Sequence, residues 1–116
     1  MWIRNSKENH GNVFNACTFK GLSDYAVIAR LPDNKGKNYP DAECVLLNCT
    51  LDGVPSEGFG PIDDTASSAK LYEFNSHGKD GNNLDVSKRN KVVRQLDAVK
   101  DAELIGKYSD ASWVLK

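Results

Sequence analysis

The histidines that could serve in acid–base or metal chemistry are isolated in this 116-residue sequence. His10 and His77 stand far apart, and neither lies near a cysteine at the spacing of a zinc site. No GxSxG elbow, P-loop or GxGxxG motif occurs in the printed sequence. A catalytic triad needs a nucleophile, a base and an orienting group held together. We therefore expect both histidines to be lone surface residues.

Two acidic loops are the remaining candidates for a metal site or an acid–base pair. The loop at 80–85 carries two aspartates and two asparagines, but their order does not match an EF-hand, and no bidentate glutamate follows. Asp63 and Asp64 are adjacent in a loop, which does not make an acid–base dyad. The sequence predicts polar turns at both places, no metal site and no cofactor.

The sequence has three cysteines, Cys17, Cys44 and Cys49, and this odd number argues against a disulfide framework. Buried free thiols that behave as small apolar groups are expected instead. Residues 48–50 satisfy the glycosylation sequon. If this segment is a strand with Cys49 pointing inward, Asn48 does not lie in an accessible loop, and we expect no glycosylation there.

The composition excludes several classes of partner. Basic and acidic residues number 15 and 16, so no charge excess attracts nucleic acid or an anionic membrane. The chain is 40% hydrophobic, which is typical of folded soluble proteins. No apolar run in the sequence approaches the roughly 20 residues of a membrane span. We also expect no signal peptide, because the first residues carry no long apolar run. We expect one soluble domain.

A repeat predicts the elements that would position a site. Residues 13–22 (VFNACTFKGL) and 45–54 (VLLNCTLDGV) share Val, Cys, Thr and Gly in place, and a weaker copy covers 70–78. Each copy reads as a short strand that ends at a glycine. Strands that recur in this way stack as a parallel ladder about 4.8 Å apart. The alignment predicts an inward column of Cys17, Cys49 and Phe74. An antiparallel sandwich is the alternative, but few tight hairpin turns are evident.

The last third of the sequence differs from the repeats. Residues 97–107 predict a short, partly amphipathic helix with Gly106 near its end. A segment of this kind can cover the open end or side of a stack of strands. We therefore expect coils at about 12–83 and a covering tail at about 84–116.

The motifs and their order resemble the C-terminal portion of the pectin methylesterase (pectinesterase) family. The similarity extends over about residues 13–115. Five segments carry it: 27–32 resembles the family's Leu-Gly-Arg-Pro-Trp motif, 42–51 a strand of the type Val-Phe-Leu-Asn-Cys, 56–59 the Pro-Glu-Gly-Trp loop, 71–78 the Tyr-Glu-Tyr-x-x-x-Gly strand, and 87–108 the closing Arg…Gln-Leu-Thr…Tyr segment.

The resemblance implies a fold and a domain assignment. The fold would be all-β, a partial right-handed parallel β-helix of few coils with a short C-terminal helix and tail. Residues 1–116 would be the C-terminal fragment of a pectinesterase-like domain. The partners of such a fragment would be the missing N-terminal coils.

The resemblance also implies site residues. The family hydrolyses methyl esters of polygalacturonate with a nucleophilic carboxylate, a second carboxylate as acid and base, two oxyanion glutamines and an arginine. Arg30 matches the arginine, which keeps the nucleophilic carboxylate ionised. Phe59 matches the loop tryptophan and would contact substrate. Leu31 and Pro32 depart from the Pro-Trp of the family, and Gln95 is the only glutamine.

Two functions are therefore expected. One is a pectinesterase-like carbohydrate esterase of cell-wall pectin, secreted or periplasmic in its full-length form. It would be inactive alone, because the nucleophile motif Asp-Phe-Ile-Phe-Gly is not in the sequence. The alternative is a noncatalytic β-helix module, structural or binding sugar through Tyr39, Phe59 and Tyr72. A pectate lyase would need a calcium site, for which the sequence offers no carboxylate cluster.

A chain that begins partway through a stack would expose unpaired backbone groups on its first coil. We therefore expect marginal stability or self-association through that end, unless residues 1–11 form a cap.

Overall fold

The computed structural model describes residues 3, 5–22, 27–29, 40–60 and 69–115, which form parallel strands and two short helices. Four strands, in the spatial order β1-β3-β5-β6, make one parallel sheet, and β2 pairs in parallel with β4 in a second sheet. The elements are β1 (Asn12–Asn15), β2 (Thr18–Lys20), β3 (Glu43–Leu47), β4 (Thr50–Asp52), β5 (Lys70–Phe74), β6 (Val93–Gln95), α1 (Ala102–Tyr108) and α2 (Ala111–Val114).

The sequence repeat corresponds to neighbouring strands of the two sheets. Val13 lies beside Val45, and Thr18 lies beside Thr50, so the predicted register of the first two copies is confirmed. The predicted alignment of the third copy is wrong by two residues. Phe74 lies beside Leu47, not beside Cys49, and His77 lies beside Thr50.

A left-handed bend separates the two strands of each repeat and explains the true alignment. Ala16, Asn48 and Asn75 have φ values of 57°, 55° and 57°, a region that asparagine tolerates better than most residues. The asparagine amides also stack: Asn75 Nδ2 donates to Asn48 Oδ1 (2.9 Å), and Asn48 Nδ2 donates to Asn15 Oδ1 (3.3 Å). The repeats are therefore aligned by these bends, and not by the glycines that end them.

Strand β3 is the centre of the core because both of its faces are covered. All five of its residues are 2% exposed or less. Cys44 and Leu46 face a cluster shared with the second sheet and the loops, whereas Val45 and Leu47 face the C-terminal helices. A strand buried on both sides explains the continuous apolar run of its sequence.

The predicted fold class, all-β with a partial right-handed parallel β-helix, is wrong. The structure is a small domain of α/β type with parallel sheets of four and two strands and two short helices, and a parallel β-helix is not shown. The physical reason lies in the covering of the larger sheet: Leu104, Ile105 and Trp113 pack against its outer face. The repeat predicts that strands stack, but it carries no information about which elements cover the second face.

Helix α1 begins later than the predicted start at residue 97. Asp97 Oδ1 accepts hydrogen bonds from the amides of Val99 and Lys100, both at 2.8 Å, which forms a turn before the helix. None of the helices in the described ranges is long and apolar enough to cross a membrane.

The N-terminal segment is attached to the start of β3. Asn5 Oδ1 accepts from the amide of Glu43 (2.8 Å), and Asn5 Nδ2 donates to the carbonyl of Asp41 (3.0 Å). Ile3 is 1% exposed and joins the main apolar cluster. Among the described residues no strand pairs with the outer edge of β1 or of β2.

Candidate functional site

Two segments that carry the family resemblance lie side by side. The amide of Ile28 donates to the carbonyl of Gly58, and the amide of Gly60 donates to the carbonyl of Ala29, both at 2.7 Å. Ile28 and Ala29 are also buried in the main apolar cluster. The stretch 27–29 is thereby attached to the loop at 55–60.

The two predicted site residues belong to these segments. Arg30 lies outside the described residues, but it directly follows Ala29. Phe59 is 4% exposed, and its ring belongs to the same apolar cluster as Ile28. A ring this deeply buried stabilises the loop from inside and presents no face on which a sugar could stack. The assignment of both residues to a substrate site stays a prediction.

The loop at 55–60 is a tight turn that requires a glycine. The amide of Gly58 donates to the carbonyl of Pro55 (2.9 Å), and Gly58 has a φ of 70°. A Cβ at this position would lie 2.6 Å from Nε of Arg89. The loop therefore approaches the arginine as closely as backbone can.

A buried carboxylate holds that arginine. Glu73, on β5, accepts from Nε of Arg89 at Oε1 (3.0 Å) and from Nη2 at Oε2 (3.1 Å), which is a bidentate pair. The side chains are 0% and 4% exposed, respectively. The remaining guanidinium nitrogen, Nη1, donates to the carbonyl of Ser56 at 2.6 Å. One arginine thus joins the sheet to the loop.

Two further donors complete the shell of Glu73. Ser76 Oγ donates to Oε2 (2.5 Å), and Gln95 Nε2 donates to Oε1 (2.7 Å). Burial by itself raises the pKa of Glu73, but the hydrogen bonds from Arg89, Ser76 and Gln95 outweigh it and hold the pKa below its ordinary value. The carboxylate is therefore a fully paired buried charge.

A second buried carboxylate, Glu43, stands at the start of β3 and is paired differently. Its Oε1 contacts Nδ1 of His10 (2.8 Å) and accepts from the amide of Gly11 (2.9 Å), and Tyr108 donates its hydroxyl to Oε2. The prediction of a lone surface histidine is wrong for His10. Burial, together with the hydrogen bond to Glu43, raises the pKa of Tyr108 far above its ordinary value, so that the hydroxyl remains a donor.

The ring of His10 is held between aromatic groups beside a small polar cavity. Its centroid is 4.4 Å from that of Trp113 and 5.9 Å from that of Tyr108. The cavity has a volume of about 160 Å³. An imidazole oriented by a carboxylate can act as a base toward a hydroxyl nucleophile. The hydroxyl in the cavity wall is that of Ser6, and it donates to Glu8 (2.5 Å) instead of to His10. In the described part of the chain this cluster attaches the helices to the sheet.

The other described candidate groups have structural roles, and Asp63 and Asp64 lie outside the described residues. His77 Nε2 lies 3.0 Å from Oγ1 of Thr50. The cysteines are free, with Cys44 and Cys49 buried and Cys17 half-buried. Burial raises the pKa of Cys44 to about 12, which makes its thiol unreactive. Within the described ranges no group of three or more metal-ligating side chains occurs.

Sequence reasoning missed both carboxylate clusters. Glu73 and Arg89 fall in segments that carry the resemblance. However, the alternation of apolar and polar residues along a strand does not show which residue beyond the next loop will contact Glu73. The only signal was a charged residue in an otherwise apolar strand, at Glu43 and again at Glu73, since a buried charge requires partners.

Comparisons with protein-family models, with curated proteins and with solved structures give no significant match for this chain.

Proposed function

We propose that the chain carries the arginine-bearing part of a pectinesterase-like ester hydrolase site and is inactive alone. One observation supports this proposal: two backbone hydrogen bonds join residues 28–29 to the loop at 58–60. The resemblance assigns these two segments to one site on grounds of motif alone. Their adjacency is what a shared site requires.

The role proposed for Arg30 is electrostatic. A guanidinium beside a nucleophilic carboxylate keeps that carboxylate ionised and orients it through charge-assisted hydrogen bonds. The reaction consumes water and a methyl ester and releases methanol and a galacturonate carboxylate. The nucleophile, the acid–base carboxylate and the oxyanion glutamines must come from outside these 116 residues, because their motifs are not in the sequence. The ligand is pectin or an oligogalacturonide, in a secreted or periplasmic setting.

A noncatalytic structural module is the second candidate, and the aromatic residues favour it over a sugar-binding one. Phe59 is buried, and Tyr72 is covered by Arg94, whose guanidinium carbon lies 5.8 Å from the ring centroid. Both aromatic residues thus contribute to packing, whereas Tyr39, the third residue of the sugar-binding alternative, lies outside the described residues.

The test is binding of methylated and unmethylated oligogalacturonides to the purified chain, followed by chemical shift changes. We expect saturable binding, weakened about tenfold or more by Arg30→Gln through loss of charge-assisted hydrogen bonds. Arg94→Gln is the matched control, because Arg94 is a half-exposed arginine that pairs with Asp101. Methanol release from highly methylated pectin is measured in parallel, and we expect none.

Three results would count against this proposal. No binding by a folded chain would leave the structural module. Equal binding by the Arg30→Gln variant would remove the arginine from the site. Methanol release that depends on Arg30 would mean that carboxylates of this chain complete an active site, and would overturn the expectation of inactivity.

A further inference from the structure

We infer that Arg89, held by Glu73, is the positioning residue that sets the backbone immediately before Arg30. The inference rests on the proposed function for its catalytic meaning. Its structural content stands on the described residues and can be measured without a ligand.

The first step is the anchor. Glu73 lies in the interior of the larger sheet, beside Leu46 on one neighbouring strand and Gln95 on the other. Its carbonyl also accepts from the amide of Leu96 (2.8 Å). With its backbone in the ladder and its carboxylate bonded by three side chains, Glu73 is fixed in position and direction.

The second step is the transfer from the anchor to the loop. Two nitrogens of Arg89 contact the carboxylate, and the third donates to Ser56. A planar guanidinium cannot move one of these nitrogens without moving the others. The close approach of Gly58 leaves no space for the loop to shift toward the arginine. The loop therefore sits at a fixed distance from β5.

The third step runs from the loop to the stretch before Arg30. The carbonyl of Gly58 and the amide of Gly60 hold Ile28 and Ala29, respectively. Any displacement of the loop is passed to the residue that precedes Arg30. A misplacement of about 1 Å at a catalytic group can cost on the order of a hundredfold in rate. A small shift of the loop could therefore change the activity that depends on Arg30.

A simple core ion pair would not require this arrangement. An ion pair that only neutralises a buried charge needs no more than the two hydrogen bonds between guanidinium and carboxylate. The third nitrogen of Arg89 instead donates to the carbonyl of Ser56, and Gly58, two residues further along that loop, has a positive φ. Lysine would keep the charge but lose the fork, so Arg89→Lys separates positioning from charge neutralisation.

The experiment is amide hydrogen exchange of the whole chain by NMR, on wild type, Arg89→Lys and Glu73→Gln. Arg94→Lys is the matched control, since its side chain is 54% exposed. We call the Glu73–Arg89 pair and its contact with Ser56 the clamp. We expect amide exchange at Ile28 and Gly60 to accelerate about tenfold or more in both Arg89→Lys and Glu73→Gln. The amides of Asn48 and Leu51, which donate to Phe74 and His77, report the sheets and should be nearly unchanged in Arg89→Lys. In Glu73→Gln, which also destabilises the whole fold, they should accelerate less than the amides of Ile28 and Gly60.

Oligogalacturonide affinity is measured on the same samples and should fall in parallel with the loss of protection. In Arg89→Lys, a uniform acceleration at all amides would show general destabilisation and would overturn the inference, as would unchanged exchange at Ile28 and Gly60. Local acceleration in a chain whose wild type binds no oligogalacturonide would retain the clamp and refute the proposed function. Intact binding with unchanged exchange would refute the clamp alone.

Discussion

Glu43 and Glu73 are buried carboxylates that face opposite sides of the same sheet and are stabilised in different ways. Glu73 receives a guanidinium, so its charge is neutralised by a permanent cation. Glu43 receives an imidazole, a phenol and a backbone amide. Removing one partner of a buried ion pair is costly because the other charge stays behind without compensation.

The Glu73→Gln variant should lose about 3–5 kcal/mol of stability at neutral pH, because Arg89 is left buried and uncompensated. The folded pKa of Glu73 lies below its ordinary value of 4.5. Its stabilising contribution is therefore fully present above about pH 4.5 and is lost as the pH falls through the folded value. Urea unfolding from pH 7 to pH 3 should show the difference between wild type and variant shrinking below pH 4.5.

A control for this series is the exposed pair of Lys107 and Glu103 on α1. Lys107→Ala should cost only about 0–1 kcal/mol, as is usual for solvent-screened ion pairs. A difference between wild type and Glu73→Gln that stays constant down to pH 3 would mean that the pKa of Glu73 in the folded protein is not lowered relative to the unfolded chain.

The two helices depend on the sheet for their stability. Helix α1 has seven residues and α2 has four, and isolated helices shorter than about 12 residues are marginal in water. Leu104, Ile105 and Trp113 supply their apolar contact with β3 and β5. The hydroxyl of Tyr108 adds a directed bond to Glu43 at the end of α1.

Tyr108→Phe should destabilise the protein by about 1–3 kcal/mol, because it removes a donor from a buried carboxylate and keeps the ring. Tyr72→Phe is the matched control, since within the described ranges the Tyr72 hydroxyl makes no hydrogen bond. Thermal unfolding followed by tryptophan fluorescence reports the change next to Trp113. Equal effects of the two substitutions would show that the hydroxyl of Tyr108 contributes nothing specific.

The elements were predictable from sequence to different degrees. The strand register of the first two repeats was found because Cys17 and Cys49 occupy matching places. The register of the third repeat is predicted wrongly because the alignment matches the glycines that end the repeats. The true alignment follows the left-handed bends, of which Asn75 is the third. The covering helices could not be placed, because amphipathicity shows that α1 has a buried side but not which surface it meets. The contact of Glu73 with Arg89 depends on loop geometry that no local pattern encodes.

At the scale of the whole molecule, the edge strands of the sheets matter for association. Strands β1, β2 and β6 each pair with one other strand within the described ranges. The residues of β1 and β2 are half-buried or exposed. Unpaired strand edges tend to associate.

Sedimentation of the chain at increasing concentration should show a rise in average mass, because the β1 and β2 edges offer unpaired backbone groups. The double variant Asn15→Lys, Thr18→Lys places cations on exposed positions of this edge and should restore the monomer. Val99→Lys, at a position that is 85% exposed and far along the chain, is the control. A wild type that stays monomeric at all concentrations would contradict the prediction.

The strands of the larger sheet lie in chain order, β1, β3, β5 and β6, while β2 and β4 form the second sheet. Under mechanical tension from the N-terminus, such a sheet does not yield as a block but opens like a zipper, one layer at a time. The first layer to open contains β1 and β2 and the asparagine contact at Asn15. The tension would then act on β3 and β5, where the buried ion pair of Glu73 and Arg89 would resist separation of the strands. The part of this protein that resists unfolding longest under tension is therefore its C-terminal half.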